Sequence, residues 1–86
     1  MKKVILFYFP SCPYCRAAID WMEALQKEHP ELAAVTVERI DEKLHPEISS
    51  QYDYWYVPTF FVDGLKVHEG AATKEIVEGV LRQALA

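Results

Sequence analysis

Val4-Ile5-Leu6-Phe7-Tyr8-Phe9-Pro10-Ser11-Cys12-Pro13-Tyr14-Cys15 is the stretch on which the reading of this chain turns. Val4 to Phe9 is an unbroken apolar and aromatic run closed by Pro10, the pattern of a strand covered on both faces. From Pro13 to about Glu28 the period becomes helical. Ala18, Ile19, Met22 and Leu25 form one stripe, and Glu23 and Lys27 are spaced for an i,i+4 pair. The two cysteines therefore fall where strand gives way to helix. Cys12 takes the N-cap, Pro13 the first helical position, where its missing N–H costs nothing, and Cys15 lies one turn in, so Cys12 should be accessible and Cys15 shielded. A thiolate at Cys12 can accept the free N–H groups of Tyr14 and Cys15 at the positive end of the helix dipole, and Arg16 adds a positive charge nearby. Such an anion attacks sulfur readily and also departs readily from a mixed disulfide.

The rest of the chain extends this unit. His29-Pro30 ends the helix. Val35 to Ile40 reads as a second strand, closed by Asp41-Glu42-Lys43, and His45-Pro46 opens a short helix running to about Tyr52. Thr59-Phe60-Phe61-Val62 is a third strand, Asp63-Gly64 a hairpin signal, and Leu65 to His68 the returning strand. Thr73 caps a last helix whose apolar face is Ile76, Val77, Val80, Leu81, Ala84 and Leu85. Gly79 inside that helix costs roughly 1 kcal/mol against alanine, which predicts a close packing contact there. The order is β-α-β-α-β-β-α, without repeat, linker or low-complexity segment. A right-handed crossover makes the first two strands parallel, and the hairpin makes the last two antiparallel. The expected fold is α/β: a four-stranded mixed sheet flanked by three helices.

The 86 residues predict a single domain over 1–86, and 51% apolar residues suffice for one core. A net charge of −4 argues against nucleic acid, which needs a basic stripe, and against anionic membrane surfaces. No stretch is long enough to span a bilayer. Met1-Lys2-Lys3 before the apolar run resembles the start of a secretory signal, but the run is short and ends at Pro10-Ser11-Cys12 without a small-residue cleavage site. The predicted compartment is the cytoplasm, where thiols are kept reduced. A bridge from Cys12 to Cys15 would also close a tiny loop and restrict the unfolded chain little. The pair is a poor staple and a good switch. Three other readings compete: a zinc half-site, a pair of core cysteines, and a binding module that keeps the pair without reacting. The zinc reading needs two more ligands, and His29, His45 and His68 show no paired spacing; no metal is expected.

Phe9-Pro10-Ser11-Cys12-Pro13-Tyr14-Cys15 resembles the active-site segment of glutaredoxins, in which C-P-Y-C is the usual dithiol motif. Val57-Pro58-Thr59 is similar to the cis-proline loop shared by glutaredoxins and thioredoxins. The likeness covers nearly the whole chain, with marked departures. Phe9 stands where glutaredoxins usually carry a lysine for a glutathione carboxylate, and His68-Glu69-Gly70-Ala71-Ala72 replaces their G-G-x-D-D turn. Gly70-Ala71 and the run from His45 through Tyr52-Asp53 to Val57 look more like thioredoxin. Against thioredoxin, W-C-G-P-C is missing and Leu6 occupies the place of its buried acid.

The resemblance implies a thioredoxin fold in which the third strand runs antiparallel to the first and sets Pro58 against Cys12. It implies a cis bond at Val57-Pro58, although an average X-Pro bond is cis only about 5–6% of the time. Cys12 would attack and Cys15 resolve, in a thiol–disulfide oxidoreductase of cell redox homeostasis and electron transport. Pro13, Tyr14, Val57, Pro58 and Gly70 would contact the substrate, the Val57 backbone pairing with a bound peptide or glutathione. By the thioredoxin register Tyr54 packs inward, while Trp55 and Tyr56 join Tyr14 at the mouth of the site. No bound cofactor is implied, and glutathione is the candidate co-substrate. The expected partners are protein disulfides and a thioredoxin-reductase-type donor, glutathione being the rival donor, and the expected state is a monomer.

Overall fold

In the computed structural model, which describes residues 1–86, the apolar run folds as β1 (Val4–Tyr8) at the centre of a sheet. The strand order is β2-β1-β3-β4. β2 (Val37–Asp41) runs parallel to β1, with Leu6 opposite Arg39. β3 (Thr59–Val62) runs antiparallel to β1, with Phe7 opposite Thr59, and β4 (Leu65–Glu69) antiparallel to β3. Asp63 and Gly64 make the hairpin with φ of 49° and 81°, the left-handed pair that a two-residue turn requires.

Alternation along β1 divides the core between two faces. Val4 and Leu6 pack with Ala18, Met22 and Leu25 of α1 (Pro13–Glu28) and with Val77, Val80 and Leu81 of α4 (Lys74–Leu85). Ile5 and Phe7 turn the other way, towards Ile40 and Phe61. This second face has no long helix over it. Ile48 of α3 (Pro46–Ser49) covers part of it, and aromatic side chains from the loop beyond cover the rest. The Phe7 ring lies 4.8 Å from that of Tyr52 and 4.9 Å from that of Tyr54, and Tyr52 meets Phe61 edge-on at 4.9 Å. Each such pair contributes about 0.5–1.5 kcal/mol beyond the area it buries. The aromatic packing thereby sets the start of the loop that leads to Pro58.

Most boundaries agree with the pattern, and the exceptions have physical causes. His29 ends α1, and Pro30 then starts a further single turn, α2 (Pro30–Ala33), because its fixed φ suits a first helical position. The order is thus β-α-α-β-α-β-β-α. β2 starts at Val37, two residues later than the apolar run suggests, since Val35 is spent on the core beneath α2 and its N–H on Leu32. α3 stops at Ser49. Glu23 pairs with Arg39 at 3.5 Å instead of Lys27. Thr73 caps α4 through its side-chain oxygen, which accepts the Ile76 N–H at 3.2 Å. Ile76 and Leu85, expected on the buried face of α4, are 36% and 39% exposed. The close contact expected at Gly79 is missing: a Cβ there would meet nothing within 4 Å. No helix is long and apolar enough to cross a membrane.

Candidate active site

Two stretches far apart in sequence meet at the carboxyl end of β1. Antiparallel pairing brings the end of β1, the N-terminus of α1 and the start of β3 to one end of the sheet. Cys12 is the N-cap of α1 in an extended conformation, with Pro13 as the first helical residue. The Cys12 Sγ accepts the Cys15 N–H at 3.2 Å and lies 4.0 Å from the Val57 carbonyl oxygen. Only one of the two expected N–H donors thus reaches the sulfur; the Tyr14 N–H does not. The Val57-Pro58 peptide is cis, and the Pro58 side chain is fully buried.

Both thiols are free, and they lie close to disulfide-bonding distance. The expectation that Cys12 is open while Cys15 is shielded needs correcting. Cys15 is 1% exposed, but Cys12 is only 6% exposed. What covers Cys12 is the cis-proline loop. Burial pushes the Cys15 thiol up to about 12, helped by its hydrogen bond with Cys12 and by the charges of Cys12 and Glu42. Cys15 also lines a cavity of about 210 Å³ shared with Arg16 and Arg39. Leu6 is fully buried on the neighbouring strand and offers no acid.

The aromatic residues divide as the register predicts. Tyr54 turns inward, stacking on Phe7 and donating its hydroxyl to Glu42 Oε1 at 2.7 Å. Burial and that carboxylate push its phenol well above the ordinary value. Tyr14, Trp55 and Tyr56 stand in solvent, with Trp55 85% exposed. Gly70, at φ 92°, donates its N–H to the Pro58 carbonyl at 2.8 Å, so its amide is spent bracing the proline loop. Thr59 is fully buried, and its hydroxyl donates to the Tyr56 carbonyl, fixing the same loop from within. No group of three or more His, Cys, Asp or Glu side chains is clustered to hold a metal ion.

Three residues to which the sequence reading gave no role at the site belong to its surroundings. Glu42 holds Tyr54 and acts on Cys15. Lys43 places its ammonium 4.1 Å from the centre of the Phe9 ring. Glu69 bonds to the loop before Val57. Their common signal was weak, because each is a charged residue in a segment that reads as solvated.

Comparison with known proteins agrees with this geometry. The profile of the thioredoxin domain family matches residues 1–82. A thioredoxin of Methanocaldococcus jannaschii is 35% identical over 83 residues, covering 96% of this chain and 95% of that protein. Glutaredoxin-3 of Mus musculus is also 35% identical over 83 residues, covering 92% of this chain but 24% of that longer protein. Among solved structures, a protein disulfide oxidoreductase from Aeropyrum pernix superposes with a TM-score of 0.65 at 23% identity, covering 98% of this chain and 38% of that one. With its fold, its cis-proline loop and its paired thiols, the chain belongs to the thioredoxin domain family and is a dithiol oxidoreductase acting through Cys12 and Cys15.

Proposed function

We propose that the chain reduces disulfides in protein substrates, with Cys12 attacking and Cys15 resolving. The observation that carries this reading is the asymmetry of the pair. Cys12 Sγ sits at the helix N-cap facing the Val57 carbonyl, whereas Cys15 is deeper and held as a neutral thiol. The Cys12 thiolate attacks one sulfur of the substrate disulfide, and the other sulfur leaves as a thiolate. Cys15 then gives up its proton and attacks Cys12 Sγ. The second substrate thiolate departs, and the two electrons it carries away leave a Cys12–Cys15 disulfide. Protonation releases both substrate sulfurs as thiols. A thioredoxin-reductase-type donor then restores the dithiol.

Around the cysteines, the Val57 main chain pairs with the substrate. Pro13 and Pro58 form the floor, Gly70 supports it, and Tyr14, Trp55 and Tyr56 form an aromatic rim. Exposed rings at the mouth of the site suit apolar protein segments, since they bury large area at small entropic cost. Action as a monomer in the reducing cytoplasm completes the reading.

Cys15→Ser tests the roles directly. It is expected to accumulate a mixed disulfide on Cys12 with a protein substrate, whereas Cys12→Ser forms none. Trapping through Cys15 would reverse the assignment.

One observation favours glutathione as a second donor and substrate. Phe9 cannot bind a carboxylate, but the Lys43 ammonium over its ring restores a cation beside the site. Similarity to glutaredoxins points the same way. Comparing the rates at which glutathione and a thioredoxin reductase reduce the oxidised protein decides between the donors.

A further inference from the structure

The segment from Ser50 to Pro58 lies between α3 and β3 and has neither helix nor strand of its own. Its backbone groups therefore need partners from outside. The rings of Trp55 and Tyr56 supply no anchorage, because they stand in solvent. The anchorage comes from Glu69. Its Oε2 accepts the Trp55 N–H at 2.5 Å and the Tyr56 N–H at 2.9 Å. Its Oε1 accepts the Lys66 ammonium at 2.7 Å, and the same ammonium donates to the Asp53 carbonyl at 3.2 Å. One carboxylate and one ammonium thus clamp the backbone of Asp53, Trp55 and Tyr56, and Tyr54 between them is held by its own ring.

A fault in the sheet makes the clamp feasible. Residues three apart on a regular strand point to opposite faces. In β4 the register slips: His68 pairs with Phe60 but Lys66 with Phe61, leaving Val67 as an extra residue. This bulge returns Lys66 and Glu69 to the same face, where they meet across the loop.

We propose that Glu69 is a positioning residue: its carboxylate, braced by Lys66, fixes the backbone of residues 55–57 so that the Val57 carbonyl faces Cys12 and the Trp55 and Tyr56 rings stand open to a protein substrate. The proposal rests on protein disulfides being the substrates. The bond to Lys66 and the two N–H groups hold the Glu69 carboxyl at about 2, so the clamp stays charged throughout the pH range of an assay.

The test compares the parent with Glu69→Ala, Glu69→Gln and Trp55→Ala by amide hydrogen exchange and by steady-state reduction of insulin. Glu69→Ala is expected to speed exchange at Trp55 and Tyr56 by at least about tenfold, the loss of one charge-assisted bond. It is also expected to raise KM for insulin about tenfold, with kcat within about twofold of the parent. Glu69→Gln recovers only part of both effects, because its amide oxygen still accepts the two N–H groups while its NH2 cannot accept from the Lys66 ammonium. Amides at 55 and 56 that exchange in Glu69→Ala as slowly as in the parent overturn the clamp. Freed amides with an unchanged KM overturn the positioning role. If Trp55→Ala leaves KM for insulin unchanged, the docking reading itself fails, and the exchange data show separately whether the clamp exists.

Discussion

Cys15 is expected to stay a neutral thiol at every pH at which the protein works, and removing Cys12 tests the cause. Burial is the largest contribution to its rise from 9.0 to about 12, ahead of the hydrogen bond and charge of Cys12. At pH 8 that rise lowers the thiolate fraction roughly a thousandfold. In Cys12→Ala the influence of Cys12 vanishes and burial remains. Iodoacetamide should therefore alkylate Cys15 of this variant at least about tenfold more slowly than a free cysteine at pH 8. The rate should climb about tenfold per pH unit up to pH 10 without levelling. A plateau below pH 9 would show that Cys12, and not burial, sets the reactivity.

Stability gives a second reading of the same group. A folded value above the unfolded 9.0 means that its contribution is complete below pH 9 and is lost as pH rises towards 12. Between pH 9 and 11 the reduced parent should lose stability, measured by urea unfolding, that Cys15→Ala keeps. Parallel curves for the two proteins would refute the reasoning.

Trp55→Ala should slow reduction of a protein disulfide several-fold and leave the melting temperature within a few degrees of the parent; equal slowing of a small disulfide together with lost stability would make Trp55 a packing residue. Lys43→Met should weaken use of glutathione mixed disulfides about tenfold, given about 1.5–3 kcal/mol for a charge-assisted bond, and Phe9→Lys should restore it; no effect of either change would show that Lys43 does not hold the glutathione carboxylate. Gly79→Ala should raise stability by about 0.5–1 kcal/mol, since the site is helical and nothing lies within 4 Å of the added carbon; a lower melting temperature would mean that the glycine serves a contact after all.

Fold and cysteine pair were legible because they rest on local rules. The run from Val4 to Phe9 reads as a covered strand, Cys12-Pro13 as its junction with a helix and Asp63-Gly64 as a hairpin, whereas the place of the third strand beside the first was legible only through family resemblance. The cis bond before Pro58 was legible only through family resemblance, since nothing in the local sequence demands it. What stayed hidden depends on register between distant segments. Period two puts Lys66 and Glu69 on opposite faces, and only the slip at Val67 reunites them. Lys43 reaches Phe9 because β1 and β2 are parallel and end together. The cover over Cys12 likewise comes from Val57, 45 residues away. Gly79 misled for the opposite reason: a costly residue invited an explanation, and the exposed face of α4 supplies none.

The buried leucine at position 6 connects the chemistry to the rim. Where the resemblance places a buried acid, Leu6 offers no acceptor for the Cys15 proton. The nearby charge of Glu42 opposes ionisation of Cys15 further. Attack by Cys12 needs no such ionisation at Cys15, so the burden falls on the second half of the cycle. A substrate joined to Cys12 then waits for Cys15 to lose its proton to solvent, with no protein base at hand among the residues that line the cavity beside it. During that wait, any other thiol that reaches Cys12 Sγ can divert the reaction. A site with slow resolution gains from holding its substrate closely and keeping Cys12 covered. The 6% exposure of Cys12 and the Val57 carbonyl 4.0 Å from its sulfur provide that cover, and the clamp at Glu69 holds the residues just before Val57. On this argument the charged clamp at Glu69 and the apolar residue at Leu6 are two parts of one arrangement, in which retention of the substrate compensates for a resolving thiol that ionises late.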